Sequence, residues 1–311
     1  MQAWDQALYG RGGFYRQAAG PAGHFSTASQ GIPKIGELLA GALLTLMDTE
    51  GLHTLVDMGC GRGELLQHVH RLGAHVQCIG VDIVARPQLD EAIGWVQSPG
   101  GAQVPDELTG LTGVLVFANE WLDVVPCPVA QLDDDGELRE VLVNPSSGAE
   151  LLGDGVSDPD RQWCRQFWPT DGLAPGDRVE IGRTRDIAWD DVVSRVGSGL
   201  AVAVDYGHTI DSRPASGTLT GFREGRQVPP VPDGSCDLTA HVAMDSLAHD
   251  SLVDQRTALR RLGVSGQTPP PDLARRNPAQ YLQELSSASV AAMLTAKGGL
   301  GDFLWAFARA R

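Results

Sequence analysis

Seven consecutive residues, Asp57-Met58-Gly59-Cys60-Gly61-Arg62-Gly63, raise the first chemical question. Glycines at alternate positions let the backbone turn sharply and approach a ligand closely, because no Cβ stands in the way. The run follows a strand-like segment, Thr54 to Met58, and precedes a helical one, Glu64 to Arg71. At such a joint the free N–H groups of the helix start can receive an anion. Asp82 stands nineteen residues past Gly63, at the end of a second strand-like run, Val76 to Asp82. An acidic side chain there can take both hydroxyls of a ribose. A glycine loop alone is equally a tight turn; Asp57 before it and Asp82 after it make it read as a ligand loop.

The dinucleotide fingerprint would place its third glycine at position 64, which is Glu64, so no pyrophosphate is indicated. D-x-G-x-G-x-G is instead the spacing of the loop that holds S-adenosylmethionine in methyltransferases. The methionine carboxylate of that cofactor suits the N–H groups at the helix start. Asp57, Gly59, Gly61, Gly63, Asp82 and Asn119 are the expected cofactor-binding residues, and S-adenosylhomocysteine the expected product. Glu120 follows a third apolar run, Gly113 to Ala118, where the sulfonium methyl would point. A guanidinium holds its proton tightly and is a poor nucleophile. A carboxylate paired with it can orient one nitrogen and concentrate positive charge on the other. Glu120, with Asp123 one turn later, is expected in that role, and His241 as acceptor of the proton the methylated nitrogen loses. The bland alternatives are that Glu120 caps a helix or binds the cofactor amino group, and that His241 and His208 merely tie loops together.

These residues need a scaffold. A fourth apolar run, Leu200 to Val204, ends at Asp205. Apolar strands ending in polar residues and separated by helical segments describe a parallel sheet covered on both faces. In such sheets the ligand lies beyond the carboxyl ends, where Asp57, Asp82, Asn119, Glu120 and Asp205 fall. Residues 34–47 form an expected helix opened by Pro33. The first thirty residues, mixing glycine and aromatics, read as a loop covering the cleft. An insertion at 127–196 reads as a β-hairpin around Asp133-Asp134-Asp135-Gly136, then a helix, Asp158 to Trp168. Residues 197–311 read as the C-terminal half of the sheet, with a strand near 217–222, a helix over 278–297 and a final strand over 303–308. Trp163, Phe167 and Trp168, at helical spacing, are expected in a core rather than on a partner surface.

Five strings also resemble a known family. Gly23-His24-Phe25-Ser26-Thr27-Ala28-Ser29, Gly36-Glu37-Leu38-Leu39, Ala118-Asn119-Glu120-Trp121-Leu122-Asp123-Val124-Val125-Pro126, Val204-Asp205-Tyr206-Gly207-His208 and Asp237-Leu238-Thr239-Ala240-His241-Val242 occur in the order seen in MidA-like methyltransferases. The resemblance covers the chain from about Ala7 to Phe307. It implies a Rossmann-like, seven-stranded class I methyltransferase sheet with S-adenosylmethionine as methyl donor. It also implies a protein arginine as acceptor, because the family includes a mitochondrial complex I assembly factor that methylates one. A respiratory-complex subunit is therefore a candidate partner. Two other readings keep the fold: methylation of a small molecule, and a non-catalytic assembly factor. The family usually carries G-D-F and T-S-P-E in its first segment, where this chain has Gly23-His24-Phe25 and Ala28-Ser29-Gln30.

Composition bounds the rest. With 24 Lys and Arg against 39 Asp and Glu, the net charge of −15 disfavours nucleic acid or anionic lipid as partner. Five scattered cysteines without a CxxC pair make neither a disulfide framework nor a zinc site. No basic-then-apolar leader opens the sequence and no apolar run is long enough to span a bilayer, so a cytoplasmic protein without membrane insertion is expected.

Overall fold

The computed structural model describes residues 1–17 and 34–310. The Gly23–Ser29 string, Pro33 and half of the expected N-terminal loop lie outside the described residues. The elements, in chain order, are α1 (Gln2–Tyr9), α2 (Ile35–Glu50), β1 (Thr54–Met58), α3 (Glu64–Leu72), β2 (Gln77–Asp82), β3 (Gly94–Gln97) and β4 (Leu111–Asn119). Then follow β5 (Val129–Leu132), β6 (Leu138–Val143), β7 (Glu150–Gly155), α4 (Asp158–Phe167), β8 (Arg178–Glu180), α5 (Arg183–Ser194) and β9 (Val196–Asp205). The remainder is β10 (Gly207–His208), β11 (Thr220–Arg223), β12 (Arg226–Val228), β13 (Asp237–Thr239), β14 (Val242–Ala243), β15 (Ser251–Asp254), α6 (Gln255–Arg261), α7 (Pro271–Arg276), α8 (Pro278–Leu294) and β16 (Leu304–Arg309).

Seven strands form the central sheet in the order β15-β16-β9-β4-β1-β2-β3. β1, β2, β3, β4 and β9 run parallel, and β16 lies antiparallel to both β9 and β15. Alternation along each strand feeds two cores. Leu55, Leu115, Phe117 and Val202 face one side with Leu39, Leu43, Leu66 and Leu294 of α2, α3 and α8. Val56, Met58, Val116 and Ala203 face the other with Trp121, Leu122, Trp189 and Met244. Both faces are covered, which is why the central strands read as unbroken apolar runs. The chain leaves β1 toward β2 and β3, then crosses back to β4 on the other side of β1. The strand order therefore reverses between β1 and β4, the place where open α/β sheets bind ligands.

A second sheet, β7-β6-β5-β8, packs Ala130, Leu132, Val179 and Ile181 against Trp163, Cys164 and Trp168 of the α4 region. The aromatic helix is thus core, as its spacing suggests. Within 127–196, α5 packs Ala188, Trp189 and Val192 against the central sheet rather than into this smaller one.

The N-terminus departs from the expected loop. Residues 2–9 form a helix whose Trp4, Ala7 and Leu8 are buried on one stripe. They join Phe14, Cys127, Leu238 and Ala240 in a small cluster, and the Trp4 indole donates to the Leu238 carbonyl at 3.1 Å.

Candidate functional site

Register sets the frame of the site. Met58 lies opposite Val81 and Ala118, and Asn119 opposite Val204. Asp82, Gly59, Asn119 and Asp205 therefore stand side by side along the carboxyl edge, across roughly 14 Å at ordinary strand spacing.

Gly59, Gly61 and Gly63 all have left-handed backbones, with φ of +67°, +61° and +76°. L-residues avoid that region. A Cβ on Gly59 would sit 3.1 Å from the Trp121 ring, and one on Gly63 3.1 Å from Leu89. The Gly59 and Cys60 N–H groups both donate to the Val81 carbonyl, at 2.8 and 3.2 Å, bending the loop over the end of β2. Asp82 accepts from the Gly61 N–H at 2.8 Å through Oδ2 and from the Val84 N–H at 3.1 Å through Oδ1. Burial pushes this carboxyl up to about 6, against the pull of those N–H groups. Asp57 is fully enclosed, and burial, then Asp82 and Glu64, hold it well above the usual carboxylate range. α3 begins just past Gly63, which offers no side chain to cap the first turn. The loop can hold a ligand that carries both an anionic group and vicinal hydroxyls.

Beyond β4 the chain makes a tight left-handed turn at Glu120, φ +50°, held by its N–H donating to the Val204 carbonyl at 2.9 Å. Asn119 Nδ2 donates to Glu120 Oε1 at 3.1 Å. Trp121 then folds against Gly59 and couples this turn to the glycine loop. Asp205, buried at the end of β9, clamps the turn. Its Oδ2 accepts from the Leu122 and Asp123 N–H groups at 3.1 Å each, and its Oδ1 from the Tyr206 N–H at 3.0 Å.

Asp123 is 4% exposed. Its Oδ2 accepts from the Thr239 hydroxyl at 2.6 Å and from the Tyr206 hydroxyl. Its Oδ1 is buried and meets no hydrogen-bond donor among the described residues. Burial raises this carboxyl, opposed by the Thr239 and Tyr206 hydroxyls and the Arg185 charge. Asp237, also buried, accepts from the Tyr15 hydroxyl at 2.7 Å, and burial pushes it up to about 8. The Tyr9 hydroxyl donates to the Val124 carbonyl at 3.0 Å.

His241 packs edge-on against Tyr206 at 5.1 Å, and its backbone N–H donates to the Thr218 hydroxyl at 2.9 Å. Burial lowers its pKa, with Glu180 and Asp123 working the other way. His208 has a different place: it is buried edge-on against Trp168, and its Nδ1 accepts from Arg213 at 2.8 Å. Burial and Arg213 depress it to about 3, so it stays neutral and structural.

Asp57, the three glycines and Asp82 thus form one cradle, with Asn119 and Glu120 joined to it through Trp121. Asp123 and His241 meet on either side of Tyr206. Tyr9 and Tyr15 carried no signal beyond aromatic residues in a glycine-rich segment, and Arg185, described below, carried none.

More than half of the chain, residues 84–263, matches the model of a family described as S-adenosyl-L-methionine-dependent methyltransferase. The matched span holds Glu120, Asp123, Asp205, Asp237 and His241. Two solved structures from Burkholderia thailandensis share the fold. One is a COG1565-superfamily protein bound to S-adenosyl-homocysteine, with a TM-score of 0.73 and 21% identity over 98% of this chain and 86% of that one. The other is a native crystal structure of a COG1565-superfamily protein, with a TM-score of 0.72 and 21% identity over 100% and 86%. No curated protein matches. The chain belongs to this family of S-adenosyl-L-methionine-dependent methyltransferases.

Proposed function

We propose that this methyltransferase transfers its methyl group to the guanidinium of an arginine on a protein acceptor. The observation that carries the reading is the acidic lining beyond β4 and β9. Glu120, Asp123, Asp205 and Asp237 gather beside the cradle, and one Asp123 oxygen is without a donor among the described residues. The charge offered to a cationic acceptor there is that of half-buried Glu120, because burial holds Asp205 and Asp237 toward their neutral forms.

Asp57, Gly59, Gly61, Gly63, Asp82 and Asn119 are the residues assigned to S-adenosylmethionine. The backbone N–H groups of the loop and the α3 start would take the methionine carboxylate, and Asp82 the ribose hydroxyls. The left-handed backbones of all three glycines support this assignment, and at Gly59 and Gly63 a Cβ would also crowd Trp121 and Leu89, the side chains that hold the loop in this shape. When bound, the cofactor supplies a methyl group already activated on a sulfonium. The chain's own task is then mostly to hold the nucleophile in line. Glu120, oriented by Asn119, pairs with the guanidinium and directs one nitrogen, while Asp123 fixes Tyr206 against His241. His241, an exposed histidine whose pKa is lowered from its ordinary value chiefly by desolvation, accepts the proton released from the methylated nitrogen.

The acceptor is a protein with an exposed arginine, a respiratory-complex subunit among the candidates, and the reaction is placed in the cytoplasm. Among the described residues no helix is long and apolar enough to cross a membrane. The test is incubation with methyl-labelled S-adenosylmethionine and arginine-bearing peptides, read by mass spectrometry for methylarginine. Label on arginine that disappears in Glu120→Gln supports the reading. Label only on small molecules, or no turnover despite cofactor binding, replaces it with a small-molecule enzyme or an assembly factor.

A further inference from the structure

Arg185 is 1% exposed in the first turn of α5. All three of its nitrogens donate to backbone carbonyls: Nε to Val125 at 3.0 Å, Nη1 to His241 at 2.9 Å and Nη2 to Asp123 at 2.8 Å. Its guanidinium also lies 5.7 Å from the centre of the Trp4 ring. A buried cation is costly unless its donors are met, and a planar fork can meet three carbonyls where an ammonium point charge cannot keep the same geometry. The three carbonyls belong to two segments over a hundred residues apart, the turn after β4 and the loop after β13. α5 and the N-terminal helix add two more. An apolar side chain could fill the same volume, but it would not join these segments at the atoms that flank Asp123 and His241.

We propose that Arg185 is a positioning residue for the acceptor side, clasping the Glu120–Val125 turn to the His241 loop in one fixed arrangement. The proposal rests on the acceptor reading above. The charge faces the same groups. It opposes the rise of Asp123 and Asp205 and joins burial in lowering His241. The other groups facing His241 are Tyr206 at the end of β9, His208 on β10, Asp123 in the turn and Glu180 on β8. The two carboxylates raise its pKa, so the direction of a change at Arg185 is defined.

The test uses the full chain with Arg185→Gln and Arg185→Lys. S-adenosylhomocysteine titration of the wild type comes first, and failure there removes the cofactor reading without bearing on Arg185. Hydrogen exchange is expected to quicken at 120–125 and 239–242 in both variants, because neither side chain forms the three-way fork. Side-chain NMR is expected to show the His241 titration midpoint rising in Arg185→Gln and staying low in Arg185→Lys, which keeps the charge. A midpoint and loop exchange in Arg185→Gln equal to wild type overturn the proposal. If the glutamine variant does not fold, the lysine variant decides. Faster exchange confined to the two loops supports the clasp, and unchanged or chain-wide acceleration overturns it.

Discussion

Acidification from pH 7 to pH 5 takes the Asp82 carboxyl through its midpoint, which burial has moved up to about 6. About nine-tenths of the molecules are ionised there at pH 7 and about one in eleven at pH 5. Gly61 and Val84 already donate one N–H to each oxygen, so the remaining lone pairs are the ones open to ribose hydroxyls. Those hydroxyls favour the ionised form and lower the pKa in the complex, so binding below pH 6 expels a proton and affinity falls with acidity. The expected loss between pH 7 and pH 5 is about tenfold, the ratio of the ionised fractions. Asp82→Asn should weaken binding at pH 7 by roughly ten- to a hundredfold, the worth of one charged hydrogen-bond pair, and flatten the profile. Calorimetric titration with S-adenosylhomocysteine at pH 5, 6, 7 and 8, in buffers of different ionisation enthalpy, measures the affinity and counts the proton. A flat wild-type profile, or a tenfold slope surviving in Asp82→Asn, would refute the reasoning.

Gly61→Val forces a β-branched residue to φ +61°, a conformation costing at least about 1–2 kcal/mol for an L-residue. S-adenosylhomocysteine binding should vanish while circular dichroism keeps the native spectrum; retained affinity would remove the loop from the site. Asp237, shifted up to about 8, binds a proton in the folded chain that the unfolded chain has released by pH 7. It therefore costs stability as pH rises from about 4 to 8. Asp237→Asn, still accepting from Tyr15, should melt progressively above wild type between pH 6 and pH 9, by roughly 2–4 °C per kcal/mol gained. Parallel melting profiles would show that Asp237 is not protonated in the fold.

The parts of the site built on parallel strands were legible in the sequence for a physical reason. A strand covered on both faces must be apolar throughout, so the first polar residue marks its carboxyl end, and Asp82, Asn119 and Asp205 mark three such ends. The hairpin of β5 and β6 was legible through its Asp/Gly turn, with Gly136 at φ +81°. The helix over 2–9 was not. It is only two turns long, and the carbonyl that anchors its Trp4 belongs to Leu238. Arg185 was invisible for a related reason: its partners are carbonyls, which leave no trace in residue type. The antiparallel placement of β16 between β9 and β15 is likewise a choice among sheet edges that its five apolar residues, Leu304 to Ala308, do not encode.

That placement governs how the protein can be made. Residues 304–309 slot between strands that leave the ribosome some fifty and a hundred residues earlier. Until they arrive, β9 presents an open row of N–H and C=O groups beside one of the most apolar stretches of the chain, Leu200 to Val204. Exposed edges of that kind recruit other chains. The yield of folded protein should therefore depend on how quickly translation completes the segment after α8, and ribosomal stalling there should produce aggregated rather than merely inactive protein.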